Sequence, residues 1–125
     1  MGNIKKLPDA EFEIMKVVWE NEPPITSAIV MDKLGNRRKW TAPTVLTLLR
    51  RLVERGFLKT EKIGKERTYY PLISKEAYLE SETKNFMKQY HKNSFLSFVN
   101  TLYNTNQPTE EELNELLKWA KERRE

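Results

Sequence analysis

The chain contains no cysteine, and its 125 residues include one histidine and four glycines. The lack of cysteine rules out disulfides, a thiolate nucleophile and every Cys-based metal site. His91, between Tyr90 and Lys92, has no second His or Cys with which to share a transition metal, and reads as a loop or helix-end residue. The glycines (Gly2, Gly35, Gly56, Gly64) are too scattered to form a phosphate-cradling loop. No cysteine is available as a nucleophile, and the single His91 reads as a helix-end residue rather than the base of a triad. Acidic residues do cluster at Glu110-Glu111-Glu112, but Thr109 and Glu112 have the spacing of a capping box, and acids in a first helical turn complement the helix dipole. No cofactor, metal or enzymatic activity is therefore expected. There is also no run of about 18 apolar residues and no charged-then-apolar leader, so no membrane insertion and a cytoplasmic location are expected.

Positive charge is present and unevenly spread. Between Arg37 and Arg67 ten Lys or Arg residues face three Glu, a local net of +7 in a chain whose whole net is +4. Residues 1–72 carry fourteen basic and nine acidic side chains, net +5, whereas residues 73–125 carry eight and nine, net −1. A basic field confined to one part of a small protein points to a polyanionic partner.

That basic stretch has the pattern of a helix running into a hairpin. Thr41 is a good N-cap, Pro43 falls in the first turn, and Gly56 can take the left-handed position that ends a helix, so a helix is expected over Ala42 to Arg55. At 100° per residue, Val45, Leu48, Leu49 and Leu52 share one stripe with Val53 at its margin; Thr44, Thr47 and Arg51 lie roughly opposite, with Arg50 beside them. Phe57 to Ile63 and Arg67 to Leu72 then flank Gly64-Lys65-Glu66, a turn short enough to join antiparallel strands, with Pro71 tolerable only near a strand end or edge. Upstream, Pro8 and Asp9 open a helix to about Asn21, whose buried side is expected to be Phe12, Met15, Val18 and Trp19; Pro23-Pro24 break it. A second short helix follows Thr26 or Ser27, uses Ile29, Val30 and Leu34, and is expected to end at Gly35-Asn36. Helix, helix, helix, hairpin is the order of a winged helix. In a helix-turn-helix the second helix of the pair enters the major groove, and here that helix is Ala42 to Arg55.

Beyond Leu72 three further helices are expected: Ser74 to Tyr90, Ser94 to Tyr103, and Thr109 to about Arg123. Glu80 to Asn85 is polar all round, which marks the first of them as an arm between packed regions. Phe95, Phe98, Val99, Leu102 and Tyr103, with Leu113, Leu116 and Leu117 in the last helix, offer more apolar surface than so short a segment can hide. Pairing with the same region of a second chain would cover it. The alternative, folding back onto the winged helix, is disfavoured by the polar arm.

Three segments also resemble a known family: Leu7-Pro8-Asp9-Ala10-Glu11-Phe12-Glu13-Ile14-Met15 with Val18-Trp19; Trp40-Thr41-Ala42-Pro43-Thr44-Val45-Leu46-Thr47-Leu48-Leu49-Arg50-Arg51-Leu52 with Gly56; and Tyr69-Tyr70-Pro71-Leu72. The family is that of the penicillinase repressors (BlaI/MecI), and the resemblance runs nearly end to end, more loosely in the C-terminal half. It implies a dimeric winged-helix repressor of a palindromic operator. Some members control β-lactam resistance genes and are inactivated through a membrane sensor metalloprotease. Members commonly carry Lys where this chain has Pro43, a lost contact for which Arg37, Arg38 or Lys39 could compensate. Family cleavage follows an Asn in the second C-terminal helix, usually before Phe; the matching pair here is Asn100-Thr101, and Thr101 departs from the pattern. A copper-responsive branch uses C-terminal cysteine pairs, which this chain lacks.

Together these readings give a mainly α protein with a small β-wing: a winged helix-turn-helix DNA-binding domain over residues 1–72 and a helical dimerisation region over residues 73–125. The expected partners are a double-stranded DNA operator, a second copy of the chain and a membrane sensor metalloprotease. The expected groove face is Thr44, Thr47 and Arg51, with Thr41 and Pro43 at the helix start and Lys62, Lys65 and Arg67 holding phosphate from the wing. Two alternatives stand beside this: a winged-helix regulator controlled by a small-molecule ligand, and a winged-helix protein-protein interaction module.

Overall fold

The computed structural model describes residues 4–124, which divide into two compact units between Glu82 and Thr83. The first begins with α1 (Asp9–Glu20), opened after Pro8 with Asp9 and Glu11 against the positive end of the helix dipole. Asn21 closes it, its Nδ2 donating to the Val17 carbonyl at 2.7 Å. The two-residue strand β1 (Ile25–Thr26) follows, and Thr26 then caps α2 (Ser27–Val30) by accepting from the Ile29 N–H at 3.3 Å.

The second helix does not stop at Gly35-Asn36. It widens into a π-type turn over Met31–Gly35 and continues as α3 (Asn36–Arg38). Gly35 is helical, and a Cβ there would lie 2.9 Å from Met31 Cε, so this glycine serves close packing rather than termination. The left-handed residue that ends the helix is Lys39, at φ 58°, after which the Trp40 N–H returns to the Gly35 carbonyl at 3.0 Å.

Helix α4 (Ala42–Glu54) has the expected cap, the Thr41 hydroxyl accepting from the Thr44 N–H. Its far end is a Schellman turn: Gly56 sits at φ 84°, its N–H bonds the Val53 carbonyl, and the Phe57 N–H bonds the Leu52 carbonyl at 2.9 Å. Val45, Leu48, Leu49 and Leu52 are buried, each contributing roughly 1.5–3 kcal/mol relative to exposure.

Strands β2 (Leu58–Ile63) and β3 (Glu66–Pro71) pair in register from Leu58↔Pro71 to Ile63↔Glu66. The loop between them is the two residues Gly64-Lys65 rather than three, because Glu66 already pairs with Ile63. Gly64, at φ 63°, supplies the positive φ that a two-residue loop needs at its first position. The sheet has three strands in the order β1-β3-β2, so β3 is central and the wing is more than a hairpin. Pro71 is tolerated because β1 pairing ends at Ile25↔Tyr69, leaving no ladder partner for the missing N–H.

The core gathers Ile14, Met15, Val17 and Val18 of α1, Val30 and Leu34, the α4 stripe, and Ile25, Phe57, Leu58 and Tyr69. Phe12 and Trp19, expected within it, are only half-buried, while Glu11, Ile14 and Val17 are buried instead. Phe12 and Trp19 turn toward the first residues of α5 (Lys75–His91), where they line a cavity outside the fully buried arc. Tyr78 of α5 is the reason. Its ring lies 5.7 Å from those of Phe12, Trp19 and Phe57, and its hydroxyl accepts from the Leu7 N–H at 2.9 Å. Trp19 Nε1 donates to the Ile73 carbonyl at 2.9 Å, and Ser81 Oγ to that of Ile4 at 3.2 Å. The first compact unit thus extends past the change in charge at Leu72 to Glu82.

The second unit holds the rest of α5, then α6 (Phe95–Thr105) and α7 (Glu110–Arg124). The α5–α6 corner is built from left-handed Lys92 and Asn93, with Ser94 capping α6 through the Ser97 N–H at 3.0 Å. His91 is the last residue of α5 and is buried between Phe86 and Phe98, its Nδ1 2.8 Å from Ser97 Oγ. The capping box of α7 forms in both directions, Thr109 N–H to Glu112 Oε1 at 2.9 Å and Glu112 N–H to Thr109 Oγ1 at 3.1 Å.

Candidate nucleic-acid interface

One face of α4 is covered by the core, and the other carries no acidic residue before Glu54. Thr41, Pro43, Thr44, Arg50 and Arg51 are exposed there, while Thr47 is half-buried. The Thr44 hydroxyl lies 3.1 Å from that of Thr41, so the two side chains form one polar cap at the start of the helix. Leu46, absent from the expected face, is 47% exposed. The signal for it was available: an apolar residue set off the helix's own apolar stripe.

The flanking basic residues occupy two further elements of the same unit. Arg37 and Arg38 close α3 and Lys39 follows in the left-handed turn, all three exposed immediately before the helix start. The Arg38 guanidinium lies 5.3 Å from the Trp40 ring centroid, an arrangement that holds the cation without neutralising it. On the wing, Lys62, Lys65 and Arg67 are exposed, and Arg67 Nη1 reaches Thr60 Oγ1 at 3.4 Å. Ile63 beside the tip is 67% exposed.

Among the described residues, two of the ten basic residues have carboxylate partners instead. Arg55 pairs through Nε and Nη2 with both carboxylate oxygens of Glu11, a side chain only 2% exposed. A buried carboxylate without a partner is costly, so Arg55 serves the fold. Lys59 Nζ is 3.6 Å from Glu61.

In the second unit no side chain of α6 or α7 is buried. Phe95, Val99, Leu102, Tyr103, Leu113, Leu116 and Leu117 are all exposed, and Phe98 is half-buried against His91 and Phe86. Asn100 and Thr101 are exposed and helical, with the Thr101 hydroxyl bonded to the Ser97 carbonyl at 3.0 Å. Among the described residues no helix is long and apolar enough to cross a membrane, and no group of His, Cys, Asp or Glu could hold a metal ion.

Three helical segments, the last of them the exposed basic α4 capped by Thr41, and a three-stranded sheet define a winged helix-turn-helix protein. The profile of the penicillinase repressor family matches residues 7–122, and the chain belongs to that family. It is 31% identical over 116 residues to the penicillinase repressor of Bacillus licheniformis, covering 93% of this chain and 90% of that one. The methicillin resistance regulatory protein MecI of Mammaliicoccus sciuri is 27% identical over 111 residues, 89% of each chain. Among solved structures, B. licheniformis BlaI in its monomeric form in complex with the blaP half-operator aligns with a TM-score of 0.52 at 35% identity, covering 62% of this chain and 94% of that one. These relatives are named as repressors and regulators, not as enzymes.

Proposed function

We propose that the protein is a transcriptional repressor of β-lactam resistance genes that binds its operator through the winged helix. The observation that carries this reading is the likeness to a repressor solved on a half-operator, together with an exposed, acid-free face on the helix that would enter the groove. In this reading Arg51 and Thr47 meet base edges, Leu46 offers an apolar contact to a thymine methyl, and Thr41 and Thr44 lie at the helix start. Arg37, Arg38, Lys39, Lys62, Lys65 and Arg67 hold phosphates. Pro43 supplies no donor there, so the approach to the backbone falls to the Arg37–Lys39 corner.

The exposed apolar faces of α6 and α7 support a homodimer on a palindromic site. Release by proteolysis at Asn100-Thr101, through a membrane sensor metalloprotease, belongs to the same proposal and rests on family resemblance. Because the bond lies inside α6, cleavage there requires that helix to open locally. A cytoplasmic location follows from the task of binding an operator.

Fluorescence anisotropy on operator and scrambled duplexes across a salt series tests the reading. Each phosphate neutralised lowers log K with a slope of about −0.9 against log salt, so six charges predict a slope near −5. A protein-protein module would show no saturable duplex binding at low salt, and that result would overturn the proposal.

A further inference from the structure

Between α1 and the beginning of α5 lies a cavity of about 360 Å³ that the DNA-binding reading does not use. Its walls are Leu7, Phe12, Trp19, Tyr78 and Leu79, with three aromatic rings at centroid separations of 5.7 to 6.2 Å. The polar atoms of those rings are already engaged, Trp19 Nε1 with the Ile73 carbonyl and the Tyr78 hydroxyl with the Leu7 N–H. Burial raises the Tyr78 pKa, against the Leu7 hydrogen bond and with the help of Glu82, so the wall stays neutral at ordinary pH. The interior therefore offers flat apolar contact and no unmet hydrogen bond. The size and lining are those of a small-molecule site.

The rim is charged, with a bias. Lys6, Lys16 and Lys75 stand there against Asp9 and Glu82. Lys16 reaches Glu13 at 3.4 Å and lies 5.7 Å from the Phe12 ring centroid, whereas Lys6 and Lys75 form no ion pair among the described residues. Unpaired lysines at the rim of an apolar slot favour a ligand with a flat body and a negative end.

We propose that this cavity binds a small aryl carboxylate, its ring against Phe12, Trp19 and Tyr78 and its carboxylate toward the rim lysines. Binding is a property of the cavity alone; any consequence for operator affinity, transmitted because α5 starts in the cavity wall, rests on the repressor reading.

The test uses the full-length chain with Trp40→Phe and Trp119→Phe, so that Trp19 is the only tryptophan, titrated with 2-naphthoate and with the neutral 2-naphthalenemethanol. Saturable change in Trp19 fluorescence is expected for naphthoate, with weaker binding of the alcohol. Adding Lys6→Glu and Lys75→Glu should weaken naphthoate on the order of tenfold, equivalent to about 1.4 kcal/mol, and leave the alcohol nearly unchanged. No saturable Trp19 response would overturn the proposal. So would naphthoate affinity that ignores both charge reversals, because the rim lysines would then take no part in recognising the carboxylate. Neither outcome depends on DNA, so a failure here is separable from a failure of operator binding.

Discussion

At the residue scale, exposure and partner decide what each basic side chain is free to do. Arg51 is exposed on α4 and Lys65 sits in the hairpin loop, so their losses should differ in kind. Arg51→Ala is expected to weaken operator binding by about 1–3 kcal/mol and scrambled duplex by less, whereas Lys65→Ala should weaken both about equally. Anisotropy on the two duplexes measures this, and equal losses for Arg51→Ala would remove it from base reading. Arg55 belongs to a different class. Arg55→Met leaves the buried Glu11 carboxylate without its partner, and should lower unfolding stability by about 1–3 kcal/mol in a urea titration. If Arg55 instead held phosphate, duplex affinity would fall while the urea midpoint stayed fixed. The charge count could not separate Arg55 from Arg51, because Glu11 lies 44 positions away in sequence and only the packing of α1 against the end of α4 brings it near.

At the element scale, what was legible followed from local signals. Thr41, Pro43 and Gly56 bracket α4, Ser94 caps α6, and Thr109 with Glu112 opens α7, each a bond between residues a few positions apart. What escaped depended on distant partners. Strand β1 has two residues and so no periodicity; it exists because β3 pairs with it. Gly35 has the composition of a stop signal, but contact with Met31 keeps it helical. Tyr78 lies in the helix that reads as an arm because of its polar stretch Glu80 to Asn85, yet it completes an aromatic cluster with residues from α1 and Phe57. A chain ending at Leu72 would lose that ring and the acceptor for the Leu7 N–H. It should therefore be less stable than a chain ending at Glu82 by about 3–5 kcal/mol, the usual loss for deleting a large core aromatic. Paired thermal melts measure it, and equal stability would mean that α5 is not part of the first unit's core.

At the scale of the whole molecule, α6 and α7 present apolar side chains that nothing in the second unit buries. Phe95 is 71% exposed and Leu117 is 60% exposed, values a stable monomer rarely sustains side by side with several neighbours of the same kind. A second copy would cover them, and the linkage would give two winged helices a high effective concentration on adjacent half-sites. Truncation after Asn100 removes Leu102, Tyr103 and all of α7, leaving Phe95, Leu96, Phe98 and Val99 as the apolar residues of α6. Sedimentation at micromolar concentration should then find a dimer for the full chain and a monomer for the truncated one. Without linkage the half-site bindings become independent, and operator affinity is expected to fall by roughly 10²- to 10⁴-fold while contact with a single half-site is kept. A truncated chain that stays dimeric and binds the operator as tightly as the full one would falsify release through this helix, and would shift control of repression toward a bound small molecule.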